Sequence, residues 1–141
     1  MGNIKTAELV WTGENHDFVT TLGSGYQVQF KAANAGETGG SPMEFMLAGV
    51  AGCTGVDVLS MLKKMRQDVV GLTVNIEGER AEDYPMVYTD VTIVYNLTGT
   101  DIDTESVEKA IELSMTKYCS ASIIFKRAGV NVSTKYNIEA A

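Results

Sequence analysis

Histidine is nearly absent from this sequence of 141 residues, in which His16 is the only one. A His-based metal site, a Ser-His-Asp triad and a Cys-His dyad would all rest on that residue, which lies in a polar turn. We therefore expect no metal site and no histidine-dependent hydrolase, and no motif predicts a cofactor.

Positive charge is also scarce: 11 Lys and Arg oppose 18 Asp and Glu, giving a net charge of −7. Phosphate binding needs clustered cations, and here they are scattered. The one tight group is Lys63, Lys64 and Arg66, at the predicted end of a helix, where cations complement the helix dipole. Nucleic acid is not an expected partner.

Neither a secretory leader nor a membrane span is expected. The first eleven residues lack the apolar core of a signal peptide. The longest apolar stretch, Phe45 to Leu62, is interrupted by Asp57 and rich in Gly and Ala, which favours a core helix over a membrane span. Two cysteines do not make a disulfide scaffold. These features predict a cytoplasmic protein in a reducing compartment, without a membrane partner.

The composition that remains is that of a globular protein, with 45% hydrophobic and 21% charged residues. A chain of this length can bury enough apolar surface to fold without disulfides or a structural metal. We expect residues 1–141 to form a single domain.

The N-terminal region predicts a three-stranded meander, because short alternating segments are separated by glycine-containing turns. Tyr26, Val28 and Phe30 alternate with polar residues, which predicts a strand with one buried face. A glycine-bearing loop follows at Ala32–Ser41; it is a mobile lid or an ordinary connection. The predicted strands are Lys5–Trp11, Asp17–Thr21 and Tyr26–Lys31.

A strong helix signal follows the loop. Ser41 is a suitable N-cap, Pro42 suits the first helical position, and Glu44 completes a capping box. From there to about Met65 the sequence is apolar on nearly every face, and its small residues would let another element approach closely. One small domain is not expected to cover such a helix, so a homodimer is predicted.

The remaining segments complete the order βββ-α-ββ-αα-β, with strands grouped apart from helices. This order predicts an α+β fold with antiparallel sheets around a buried central helix. The second helix starts at Asp103 or Thr104 and places Val107, Ile111, Met115 and Tyr118 on one face. The other predicted elements are strands at Val70–Glu79, Val87–Leu97 and Val130–Ile138 and a short helix at Ser120–Ala128.

The two cysteines are the candidate reactive residues. Cys53 lies midway along the apolar helix, and Cys119 lies where the second helix passes into the short one. Two buried cysteines are most often small hydrophobic residues. Residue types alone therefore leave packing and thiol chemistry both open.

Several motifs carry a resemblance to a known family. Residues 41–48 read SPMEFMLA, residues 52–58 read GCTGVDV, residues 66–70 read RQDVV, and residues 117–120 read KYCS. In this order they resemble the OsmC/Ohr superfamily (osmotically induced protein C and organic hydroperoxide resistance), and within it the YhfA-like branch. The similarity extends over nearly all of residues 5–140.

This resemblance implies an OsmC-like fold, in which two chains intertwine as a homodimer with the site near the interface. It implies that a thiolate at Cys53 attacks a hydroperoxide and becomes a sulfenic acid, and that Cys119 then forms a disulfide with it. A dithiol, such as a lipoyl or thioredoxin-type donor, would reduce the disulfide.

The chain departs from the pattern of the family's peroxidases at two places. Those proteins support the thiolate with an Arg from the first loops and a Glu. Here Met43 stands at the position of the Glu, and no Arg precedes Arg66. Lys31 is the nearest substitute cation, although Lys is a poorer planar clamp. Glu44 could support the site, but we interpret it as the helix cap.

Two further residues flank the cysteines. Asp57 stands one turn beyond Cys53 on the same helix face. A carboxylate there opposes thiolate formation, so a structural hydrogen bond across the dimer is the favoured interpretation. Tyr118 precedes Cys119 and is expected to lie in the core rather than to act on a substrate.

Two functional hypotheses follow from the sequence. The first is a thiol-dependent enzyme that reduces organic or other hydroperoxides, or another small electrophile, through Cys53 and Cys119. The second is a non-catalytic OsmC-like module that binds ligands or senses oxidants, with an apolar pocket at the dimer interface. The retained cysteine pair favours the first, and the missing Arg and Glu favour the second.

Overall fold

The computed structural model describes residues 3–31 and 39–141, so most of the predicted 32–41 loop lies outside the described residues. The order of elements agrees with the sequence prediction. The chain divides into two compact units, residues 1–46 and 47–141, and the expectation of a single domain stays a prediction. The elements are β1 (Ala7–Trp11), β2 (Asp17–Leu22), β3 (Gln27–Lys31), α1 (Pro42–Lys64), β4 (Asp68–Arg80), β5 (Tyr88–Thr100), α2 (Thr104–Leu113), a π-helical turn (Ser114–Tyr118), α3 (Ser120–Arg127) and β6 (Asn131–Ala140).

The first unit is an antiparallel meander in which β2 lies between β1 and β3. Phe30 of β3 packs edge-on against Phe45 of α1, with ring centroids 4.7 Å apart. Val28 and Phe30 are half-buried, as their alternation predicts, but Tyr26 lies outside the strand and is exposed. The expectation for Tyr26 was wrong, because β3 begins one residue later and Tyr26 belongs to the turn that leads into it.

Helix α1 begins with the predicted capping box. The side chain of Glu44 accepts hydrogen bonds from the Ser41 amide at 3.0 Å and the Ser41 hydroxyl at 2.8 Å. The Ser41 hydroxyl in turn accepts from the Glu44 amide at 3.3 Å. These bonds satisfy donors that the first helical turn would otherwise leave unpaired.

The second unit contains the sheet β4–β5–β6. Strands β4 and β5 pair antiparallel, as expected, but β5 and β6 pair parallel, with Val91 opposite Val132 and Leu97 opposite Ile138. The prediction of antiparallel pairing throughout was therefore wrong for β6. The reason is the connection, since residues 101–130 carry α2 and α3 and return the chain to the end of the sheet where β5 began.

Among the described residues of α1, the fully buried ones form a single stripe. Val50, Thr54, Val58 and Leu62 recur every four residues and are almost fully inaccessible. On other faces, Gly49, Gly52, Val56 and Ser60 are exposed. A Cβ atom added at Gly49 or Gly52 would meet nothing within 4 Å among the described residues. The part of the chain that the structure describes therefore buries one face of a helix that is apolar on almost every face.

A π-helical turn joins α2 to α3. The amide of Cys119 donates to the carbonyl of Ser114 at 2.7 Å, which closes the turn over five residues instead of four. The extra residue shifts the helical register after Met115. Tyr118 is consequently 50% exposed, whereas Cys119 is completely buried. The expectation that Tyr118 lies in the core was wrong for this reason.

Candidate thiol site

The structure brings Cys53 and Cys119 together, as the resemblance implied. Cys53 lies at the middle of α1 and is half-buried; Cys119 separates the π-helical turn from α3. Their sulfur atoms and a carboxylate oxygen of Asp57 all lie within 4.8 Å of one another. Both cysteines are free thiols. A disulfide between them requires only a short approach of the two sulfur atoms.

The backbone at Cys119 explains why this thiol is fixed. Cys119 is the N-cap of α3, in an extended conformation, and its Sγ accepts a hydrogen bond from the amide of Ser122 at 3.4 Å. The hydroxyl of Ser122 donates back to the Cys119 carbonyl at 3.1 Å. Lys126 donates to the carbonyl of Met115 at 2.9 Å, inside the π-helical turn. These bonds hold the Cys119 sulfur at the start of α3.

The protonation state of Cys119 depends mainly on its burial. Burial raises the pKa of the Cys119 thiol above its ordinary value, and neighbouring Cys53 raises it further, although the hydrogen bonding with Ser122 acts in the opposite direction. The uncharged thiol is therefore the favoured form at neutral pH. In any reaction where this sulfur acts as a nucleophile, its proton must be transferred to another group.

A row of buried hydroxyl groups connects the core to this site. The Tyr95 hydroxyl lies 2.7 Å from Thr54 Oγ1, and Thr54 Oγ1 lies 2.7 Å from Ser114 Oγ. Ser114 Oγ then donates to Asp57 Oδ2 at 3.0 Å. Tyr95, Thr54 and Ser114 are fully buried. The row links α1 with β5 and the π-helical turn, and it ends on the carboxylate beside the two thiols.

The donor and the acceptor of each hydrogen bond in this row can be assigned, because each hydroxyl group has one hydrogen to donate. An ionised carboxylate only accepts, so Ser114 uses its one hydroxyl hydrogen on Asp57. Ser114 must then accept from Thr54, and Thr54 must accept from Tyr95. The bonds therefore all run toward Asp57. Burial raises the pKa of Tyr95 to about 12, the bond to Thr54 lowers it, and Cys119 and Asp57 add to the rise. Tyr95 thus remains a donor.

Asp57 has the structural hydrogen bond that the sequence suggested, but its partner is different. We expected a bond across a dimer, whereas the partner is Ser114 of the same chain. No sequence motif identified Thr54, Tyr95 or Ser114 as residues of the site. No local pattern predicts that three distant hydroxyl groups meet.

The two thiols and the Asp57 carboxylate are also atom types that bind Zn²⁺. Within residues 3–31 and 39–141, this is the only group of three or more such side chains close enough to share an ion. An ion held there would occupy the sulfur atoms that a disulfide would join. We assign no metal to the site, and the expectation of none stays a prediction.

The other candidate residues have partners of their own. The Glu44 carboxylate is bonded to Ser41, which lowers its pKa, and this confirms its interpretation as a helix cap. Lys31 lies 3.8 Å from Asp17 in an ion pair of the first unit. Tyr118 lies beneath the ammonium group of Lys117, 5.1 Å from the ring centre. A role for Glu44, Lys31 or Tyr118 in thiol chemistry stays a prediction.

Two open grooves border α1 in the second unit. One has a volume of about 460 Å³ and lies between α1 and β4, with apolar walls from Val56, Leu59, Val70 and Val74. Val56 and Val70 are each 66% exposed. The other has a volume of about 400 Å³ and includes Asp57 of the site; its remaining lining residues are Ser60, Met61, Lys64, Met65, Leu113 and Tyr118. Asp57 is therefore reached from a groove as well as from the core.

Comparison with known proteins identifies the class to which this fold and site belong. The family model described as OsmC-like protein matches residues 35–135. The chain belongs to the OsmC-like family. It is 36% identical over 135 residues to Protein YhfA of Escherichia coli K12, which covers 96% of this chain and 98% of that protein. The resemblance seen in the sequence motifs is confirmed.

Solved structures share the fold over almost their whole length. A hypothetical protein from Aquifex aeolicus VF5 is 29% identical, with a TM-score of 0.87 and coverage of 99% of both chains. An organic hydroperoxide resistance protein from Elizabethkingia anophelis is 14% identical, with a TM-score of 0.76 and coverage of 99% of both chains. At 14% identity, the similarity to the Elizabethkingia anophelis protein establishes the fold alone.

Helix α1 is the one helix among the described residues that is long and apolar enough to cross a membrane. Length and composition of a single helix are weak evidence, because core helices have the same properties. Here Thr54 of α1 bonds to Tyr95 of β5, and Asp57 bonds to Ser114. The helix is an element of the OsmC-like fold, as the sequence predicted.

Proposed function

We propose that this chain is a cytoplasmic, thiol-dependent reductase of organic or other small hydroperoxides. Cys53 attacks the peroxide oxygen, the O–O bond breaks, and Cys53 becomes a sulfenic acid while an alcohol leaves. Cys119 then displaces the sulfenic oxygen as water and forms a disulfide. A dithiol of the lipoyl or thioredoxin type reduces that disulfide by exchange.

The observation that carries this proposal is the proximity of the two thiols. Cys53 is the more accessible and Cys119 is completely buried, which suits an attacking residue and a resolving residue, respectively. Solved structures of the same fold include organic hydroperoxide resistance proteins from Elizabethkingia anophelis and Bacillus subtilis. Membership of the OsmC-like family agrees with the same chemistry.

We further propose that the active form is a homodimer. The apolar groove between α1 and β4 is open, and Val56 and Val70 in it are exposed. In the first unit, Leu9, Val10 and Trp11 are each more than half exposed. Exposed apolar surface of this extent is typical of interfaces. A second copy of the chain is the occupant that the apolar helix predicts.

The decisive experiment is steady-state turnover of cumene hydroperoxide and hydrogen peroxide with dihydrolipoamide as reductant. We expect turnover with the wild type, none with Cys53→Ser, and severe loss with Cys119→Ser. Asp83→Asn, a change in an exposed turn, serves as the control. Turnover that survives Cys53→Ser would refute the proposal.

The alternative is a module that binds ligands or senses oxidants without turnover. The apolar groove of about 460 Å³ and the absence of an Arg before Arg66 favour it. It predicts that an apolar probe binds the wild type and that peroxide oxidises Cys53 once. It also predicts that dihydrolipoamide sustains no catalytic cycle. The same turnover assay therefore separates the two functions.

A further inference from the structure

The carboxylate of Asp57 is the one acidic group that the structure brings to both thiols, among residues 3–31 and 39–141. One of its oxygens lies within 4.8 Å of the sulfur atoms of Cys53 and Cys119. A negative charge beside a thiol discourages its ionisation. Asp57 is therefore badly placed to promote the first attack on peroxide, and its position needs another explanation.

The second chemical step supplies that explanation. Cys119 is buried and holds its proton, yet it must lose that proton when its sulfur bonds to Cys53. The departing hydroxide must gain a proton. A group that lies close to both sulfur atoms can take the proton at one and release it at the other. Asp57 is so placed.

We propose that Asp57 is the proton carrier of the resolving step, an inference that rests on the proposed function. As the Cys119 sulfur shares an electron pair with Cys53, its S–H becomes acidic and the Asp57 carboxylate accepts the proton. The S–S bond forms and the S–O bond of the Cys53 sulfenic acid breaks. Asp57 then gives the proton to the departing oxygen, and water leaves. The sulfenic acid is the only oxidant needed.

The hydroxyl row positions this carboxylate. Since Tyr95, Thr54 and Ser114 all donate toward Asp57, the row holds the Oδ2 oxygen of the carboxylate in place. A carboxylate can accept several hydrogen bonds, so Asp57 can still accept the thiol proton while it is bonded to Ser114. Ser114 is therefore a positioning residue, which acts through Asp57.

Single-turnover experiments on the full chain can separate the two steps. Sulfenic acid at Cys53 is trapped with dimedone, and the Cys53–Cys119 disulfide is measured by mass spectrometry, with a chelator present throughout. In Asp57→Asn we expect sulfenic acid to form at the wild-type rate or faster. We expect the disulfide to form about 10²-fold more slowly, the usual loss of a general acid–base. Asn keeps an oxygen that can accept from Ser114.

Two further variants test the assignment. Ser114→Ala should slow disulfide formation to a lesser extent and leave sulfenic acid formation unchanged. Asp83→Asn should change neither rate, because its side chain lies in an exposed turn. If Asp57→Asn slows both steps equally, Asp57 has only a structural role and the proposal is overturned. Disulfide formation at the wild-type rate overturns it as well.

A second experiment tests the same proton transfer without peroxide. Ellman's reagent forms a mixed disulfide at Cys53, and attack by Cys119 then releases a second equivalent of the coloured thiolate. Asp57→Asn should slow this second release, because Cys119 must again lose its proton. If the wild type consumes no hydroperoxide but shows this difference, the proposed function fails and the role of Asp57 stands. If Cys119 releases no second equivalent in the wild type, the role of Asp57 is refuted.

Discussion

The amide of Cys119 donates to the carbonyl of Ser114 at 2.7 Å, across a turn of five residues. This one bond orients two groups of the site. It turns the Cys119 side chain inward at the start of α3, and it holds Ser114 where its hydroxyl contacts both Thr54 and Asp57. The geometry of the thiol pair and the hydroxyl row therefore depends on the same π-helical turn.

Thr54→Val tests the hydroxyl row as a structural element. Valine keeps the shape of threonine but leaves the buried hydroxyl groups of Tyr95 and Ser114 without their shared partner. We expect the free energy of unfolding to fall by about 1–3 kcal/mol, the cost of an unsatisfied buried polar group, measured by urea denaturation. Thr73→Val, on an exposed strand position, is the control. Equal effects of the two substitutions would contradict the account.

Tyr95→Phe tests how the free energy of unfolding changes at alkaline pH. The pKa of Tyr95 is raised from 10.0 to about 12, so its folded form resists ionisation. Its contribution to stability is complete below pH 10 and declines as pH rises toward about 12. The stability advantage of the wild type over Tyr95→Phe should therefore shrink across that interval. Tyr84→Phe, at an exposed position, should show no such trend. A constant difference would refute the prediction.

Glu44→Ala tests the helix cap. The bonds from Ser41 lower the pKa of Glu44 below its ordinary value of 4.5. The ionised carboxylate therefore stabilises the folded state at pH values above about 4.5. That contribution is lost as pH falls through the lowered folded-state pKa. We expect the variant to be less stable than the wild type at neutral pH, with the difference closing in acid. Glu82→Ala, in an exposed turn, is the control. A difference that grows in acid would be inconsistent with the cap.

Val56→Glu tests the homodimer. A charge in the open groove beside Val70 would have to be buried when a second copy covers α1. We expect the variant to be monomeric at concentrations where the wild type is a dimer, as measured by light scattering. Val87→Glu introduces the same charge at an exposed apolar position outside that groove. A wild type that is a folded monomer at micromolar concentration would disprove the dimer.

The sequence predicted those features that depend on local patterns. The Ser41–Glu44 capping box and the half-buried positions of Val28 and Phe30 are confirmed, because caps and strand periodicity are encoded by neighbouring residues. The thiol pair was implied by the family motifs, since no local rule brings Cys53 and Cys119 together.

The errors arose where one residue changes a register or where distant segments meet. The π-helical turn has no sequence signal, and it leaves Tyr118 half exposed where a core position was expected. The parallel pairing of β6 depends on the path of the whole connection from residue 101 to 130. The hydroxyl row joins Thr54, Tyr95 and Ser114 from three separate elements, and hydrogen bonds of this kind follow only from the folded structure.

The most direct test of the central claim is mass mapping of the reduced protein after one equivalent of cumene hydroperoxide. We expect a disulfide between Cys53 and Cys119 in the wild type, a trapped sulfenic acid at Cys53 in Cys119→Ser, and unmodified Cys119 in Cys53→Ser. Dihydrolipoamide should return the wild type to two free thiols. Oxidation of Cys119 in the absence of Cys53, or a wild type that forms no such disulfide, would contradict the account.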